Sequence, residues 1–114
     1  MKEYTFTIKG SNLTTIVYAF RDRFSPEFEY MCKSGNARIF VLEEFKLRQG
    51  CDLAVTVILD FKNEDKCVVT IISAGGRAGI LRLDIFGAEE SSLNNVRTFF
   101  QALAEERKWK IINL

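Results

Sequence analysis

Tyr4, Phe6 and Ile8 alternate with Thr5, Thr7 and Lys9, a period of two that predicts a strand with one face buried. Gly10-Ser11-Asn12 breaks the run and offers Ser11 or Asn12 as a helix N-cap. Leu13, Ile16, Val17, Phe20 and Phe24 then fall at i, i+3, i+4, i+7 and i+11, one apolar stripe of a helix. Ser25-Pro26 ends it, because the proline ring disfavours helical geometry at the residue before it. Phe28–Cys32 reads as a short extended segment, and Lys33-Ser34-Gly35-Asn36 as a turn.

Ala37–Leu47 follows as a strand and Arg48-Gln49-Gly50 as a turn. Leu53, Val55, Val57, Leu59 and Phe61 form the cleanest period-two run in the chain. Asn63-Glu64-Asp65-Lys66 is the next turn and Cys67–Ser73 the next strand. Connections this short predict an antiparallel meander. After the glycine-rich run Ala74–Gly79, Leu81, Leu83 and Ile85 alternate with Arg82, Asp84 and Phe86, which predicts one more strand ending at Gly87. Glu89, Glu90, Ser91 and Ser92 supply acidic and capping groups for a helix start. Leu93, Val96, Phe100 and Leu103 continue at helical spacing, and Arg107, Lys108 and Lys110 crowd the far end. The tail Trp109–Leu114 fits a last helical turn or a short strand.

The predicted order is strand, helix, four or five antiparallel strands, helix. An α+β domain with a single curved antiparallel sheet and both helices on one face closes it naturally, since each helix has one apolar stripe. At 114 residues the chain is expected to be a single domain over 1–114. By element order it resembles the TATA-binding-protein-like and helix-grip (START/Bet v 1-like) folds, in which a sheet wraps a long C-terminal helix. The run from Ala74-Gly75-Gly76 through Gly79, Gly87 and Glu89 is similar to small uncharacterised bacterial families with a glycine-rich loop before the last elements. Those families carry no assigned activity, so no functional residue transfers.

Composition narrows the chemistry. Apolar residues make up 47% and charged residues 27%, as in a soluble globular domain. Sixteen Lys+Arg face fifteen Asp+Glu, so no electrostatic attraction to nucleic acid or to an anionic membrane is expected. There is no histidine, which removes the commonest general base and metal ligand and every Ser-His or Cys-His catalytic arrangement. Cys32, Cys51 and Cys67 share no CxxC spacing, so neither a disulfide framework nor a zinc site is indicated. With no leader-like h-region at Met1–Tyr4, a cytoplasmic location with reduced thiols is the expectation. Gly75-Gly76-Arg77-Ala78-Gly79 leads into a predicted strand, where a phosphate-binding loop leads into a helix. The acidic pairs Glu43-Glu44, Glu64-Asp65, Glu89-Glu90 and Glu105-Glu106 read as solvated or helix-start charges. No catalytic residue, cofactor or metal ligand is expected, and the chain reads as non-enzymatic.

The most informative pattern is apolar character on both faces of some strands. Ile39 and Val41 point one way and Phe40 and Leu42 the other; Cys67, Val69 and Ile71 likewise oppose Val68 and Ile72. Helices on one side of a sheet leave such residues uncovered on the other. The first expectation is self-association, as a homodimer, or docking of a protein partner through Phe40, Leu42, Val68 and Ile72, or through the opposite set if the register is reversed. Leu42→Asp and Ile72→Asp are then both expected to give soluble monomers. The alternative is a module that holds a small apolar ligand between sheet and C-terminal helix, lined by Val55, Val57, Leu59, Phe99, Phe100 and Trp109.

Overall fold

The computed structural model describes residues 2–46, 51–75 and 83–113. Strand β1 (Lys2–Lys9) leads into helix α1 (Thr15–Phe24). Four strands follow, β2 (Phe28–Met31), β3 (Ala37–Lys46), β4 (Cys51–Asn63) and β5 (Lys66–Gly75), then helix α2 (Leu83–Arg107) and a short β6 (Lys110–Ile112). One six-stranded sheet runs in the order β2-β3-β4-β5-β1-β6, with every pairing antiparallel. Strands β2 to β5 form the meander. The α1 crossover carries the chain from the β5 side of the sheet to its β2 edge, and the tail returns to pair outside β1.

Local chemistry sets the element ends. Helix α1 starts later than Ser11 or Asn12. Asn12 takes left-handed backbone (φ 56), and Thr15 donates both its N–H, at 3.1 Å, and its Oγ1, at 2.7 Å, to the Asn12 carbonyl. Thr14 is therefore the N-cap, with no side-chain capping bond. At the other end Ser25 turns left-handed (φ 46) and its N–H closes on Arg21 O at 2.9 Å, just before Pro26. Helix α2 ends the same way at Lys108 (φ 62), with Trp109 N–H on Ala104 O at 2.8 Å. The tail is thereby turned back into β6 rather than into another helical turn.

Residues 83–86 are helical, not the end of a strand. Six alternating residues also carry i, i+3 apolar spacing (Leu83, Phe86), and so short a run does not separate the two periods. Glu89-Glu90 accordingly stand in the second turn of α2, not at its start. Most of the glycine-rich run, from Gly76 to Gly79, and the 48–50 turn lie outside the described residues; Ala74 and Gly75 close β5.

The core lies between the sheet and the two helices, which share one face. Across the sheet, Phe40, Val57 and Ile71 form one buried row and Leu59, Val69 and Phe6 the next. Phe20 of α1 meets Phe40 of β3 at 4.7 Å between ring centroids, Phe24 at 4.7 Å, Phe99 at 5.8 Å and Phe100 at 6.1 Å. Phe100 of α2 meets Phe6 of β1 at 5.6 Å. Trp109 closes the far end. Its Nε1 donates to Ser11 O at 2.8 Å, and a methyl on Gly10 would fall 2.2 Å from its Cδ1, so only glycine lets the indole lie this close.

Candidate functional site

The two sheet faces are chemically distinct, and the register says which residue lies on which. Inward, Phe40 and Leu42 are buried beside Val57 and Val55. Outward, Tyr30, Ile39, Ile58, Thr70 and Thr5 form one cross-strand row, and Phe28, Val41, Thr56, Ile72 and Glu3 the next. A third row holds Ala37, Asp60, Val68, Thr7 and Ile112. The set Phe40, Leu42, Val68 and Ile72 therefore does not share a face. Phe40 and Leu42 belong to the core, while Val68 and Ile72 stand outward with Ile39 and Val41. The phase of β3 relative to β5 is opposite to the one that grouping assumes.

The outer rows grade from polar to apolar across the sheet. Glu3, Thr5 and Thr7 cover the β1 side, and the β2–β3 side carries Phe28, Tyr30, Ile39 and Val41. Ile39, Val41, Ile58, Val68 and Ile72 are half-buried by their neighbours alone. Phe28 and Tyr30 are 53% and 50% exposed. Large aromatic side chains so open to water, contiguous with aliphatic ones, mark a contact surface more often than an ordinary solvated face.

On the inward side of the same edge, Glu29 is clamped. Arg21 Nε of α1 donates to Glu29 Oε1 at 2.6 Å, a second bond joins Arg21 Nη2 to Oε2, and Arg38 Nη1 of β3 reaches Oε2 at 2.7 Å. The Arg21 hydrogen bond, opposed by partial burial and helped by the charges of Arg21 and Arg38, holds the Glu29 carboxyl below its ordinary range. Its contribution to stability is present at neutral pH and is lost as pH falls through that lowered value. The clamp ties α1 to the edge strand and was not legible in the sequence, since nothing local brings residue 29 to residue 21.

Cys32 and Cys67 have opposite chemistry. Cys32 sits in the β2–β3 turn, with Ser34 Oγ 3.2 Å from its Sγ and Ala37 N–H donating to it at 3.3 Å. The Ser34 hydroxyl, then the backbone N–H groups of the turn, lower its thiol to about 7. Cys67 is buried in β5, and burial, with the Asp60 charge second, pushes it up to about 12. At pH 7.5 iodoacetamide is therefore expected to label Cys32 in the folded protein and to leave Cys67 untouched until denaturant is added. Peptide mapping by mass spectrometry reads this directly, and native labelling of Cys67 would contradict its burial.

The six residues expected to line a ligand site occupy the core or its rim. Val55, Val57, Leu59 and Phe100 are fully buried, Trp109 is spent on the β1–α1 connection, and Phe99 is partly exposed. Phe99 borders an open groove of about 370 Å³ between the end of α1 and α2, with Arg23, Asn95, Thr98, Ala102, Leu103 and Glu106. Among the described residues no three metal-ligating side chains converge, and no helix is long and apolar enough to cross a membrane. The chain matches no family model, no curated protein and no solved structure.

Proposed function

We propose that this chain is a non-enzymatic cytoplasmic domain that works by assembly, its outer sheet face packing against the same face of a second copy. The observation that carries the reading is the outer apolar surface running from Ile72 through Ile58, Ile39 and Val41 to Tyr30 and Phe28, with no described element over it. Six strands about 4.8 Å apart and three rows roughly 7 Å apart give this face a projected area on the order of 600 Å². Side-chain relief carries that toward the about 800 Å² per partner of a stable interface. A formal charge of +1 favours a protein partner over nucleic acid.

The test is the double variant Ile58→Lys/Ile72→Lys. Both side chains stand outside the core, and Lys at 72 would face Glu3. Sedimentation velocity is expected to show a variant with native circular dichroism and half the wild-type mass. A folded variant of unchanged mass would sink the face-to-face reading.

A further inference from the structure

Strand β2 is an edge. Beyond its pairing with β3, no described strand continues the sheet. Its hydrogen-bonding phase is fixed at one end, where Cys32 N–H donates to Ala37 O at 3.1 Å. By antiparallel alternation from that end, Tyr30 bonds toward β3 and the peptide groups of Glu29 and Met31 point out of the sheet; the alternation stops before Phe28, where Glu27 N–H turns inward to Val41 O at 2.9 Å. Natural edges are blunted by shortness, charge, proline, a bulge or a covering element; β2 is short, four residues, and Pro26 stands two positions before it. Here the strand is Phe-Glu-Tyr-Met: its one charge is held inward by Arg21 and Arg38, and Phe28, Tyr30 and Met31 are each at least half exposed.

We infer that this edge pairs antiparallel with the same edge of a second copy, about a two-fold axis through Tyr30. Only registers that set outward-pointing peptide groups opposite one another keep the ladder, so the axis must pass through a residue. An axis at Glu29 puts two carboxylates face to face, and like charges directly opposite are unfavourable. An axis at Met31 runs the pairing off the strand into the 33–36 turn. The Tyr30 axis uses the whole strand. It sets Glu29 opposite the partner's Met31 and stacks the two Tyr30 rings at a close, non-hydrogen-bonded position. It also brings exposed Glu27 against exposed Lys33 at both ends, so the edge is complementary to itself in charge as well as in hydrogen bonding.

This contact is separate from the face contact and compatible with it. Edge pairing extends each sheet to twelve strands with both outer faces on one side. Two such sheets packed face to face close a four-copy assembly of perpendicular two-folds. An edge contact of four residues is small, at the low end of specific interfaces, so this half of the assembly is the first to be lost on dilution.

Met31→Pro removes an N–H that β3 does not use, on an edge strand where proline is tolerated. Its expected mass is half that of wild type with native circular dichroism. Tyr30→Cys, in a Cys32→Ser/Cys51→Ser background, places two sulfurs across paired positions about 4.5 Å apart at Cα, within disulfide reach, and is expected to cross-link under mild oxidation. The Ile58→Lys/Ile72→Lys variant reports the face contact. If the face reading fails and the edge holds, wild type is two copies, that variant keeps the wild-type mass, Met31→Pro is one copy, and Tyr30→Cys still cross-links. A folded Met31→Pro of wild-type mass overturns the edge pairing, as does an uncross-linked Tyr30→Cys. If Met31→Pro does not fold, the cross-link decides.

Discussion

Leu42→Asp is expected to leave the chain unfolded at 25 °C, while Ile72→Lys leaves it folded. The sequence pattern alone treats residues 42 and 72 as equivalent; the register separates them. Leu42 is 4% exposed, pairs with Val55 in β4 and belongs to the buried core on the inward face. Truncating a buried leucine costs about 2–5 kcal/mol, and a carboxylate with no partner in that position adds several kcal/mol of desolvation. Domains of this size hold only about 5–15 kcal/mol in total. Ile72 stands on the outer face between Thr56 and Glu3, where a lysine stem still covers its neighbours and the expected change is about 1 kcal/mol or less. Circular dichroism and guanidinium titration read both. A folded Leu42→Asp beside an unfolded Ile72→Lys would mean that the two faces are assigned the wrong way round.

Phe20→Ala should cost about 3–5 kcal/mol, the range for removing a buried aromatic ring, and lower the melting temperature by on the order of 15–25 °C. Phe20 is fully buried and meets β3 and α2 together, through Phe40, Phe99 and Phe100. Phe24, packed on the same cluster but partly exposed, is the control and should lose less when changed to Ala. Equal losses at the two positions, or a loss below about 1 kcal/mol at Phe20, would contradict the way α1 is docked.

The sheet, α1 and the body of α2 were legible because their information is local. Tyr4-Phe6-Ile8 repeats every two residues against polar partners, Val55-Val57-Leu59 repeats against an opposite face marked by Thr56 and Asp60, and Leu13-Ile16-Val17-Phe20 repeat at helical spacing. The phase of β3 was not legible. Every residue from Ile39 to Leu42 is apolar, so nothing on that strand marks its outer side. On β4 the polar positions Thr56 and Asp60 do mark it. Carrying that mark across to β3 requires the pairing register. Residues 83–86 are ambiguous in sequence for a related reason, a run too short to separate two periods. The Arg21–Glu29–Arg38 clamp and the open edge of β2 are products of tertiary placement, and only the exposure of Phe28 and Tyr30 in the fold reveals that edge as a surface.

Sedimentation velocity of the unmodified chain, as a dilution series at neutral pH, tests the claim of assembly most directly. Assembly through both contacts gives a mass well above the 13.1 kDa of one chain, stepping down as the edge contact and then the face contact dissociate. A single species of 13.1 kDa at every concentration would contradict it.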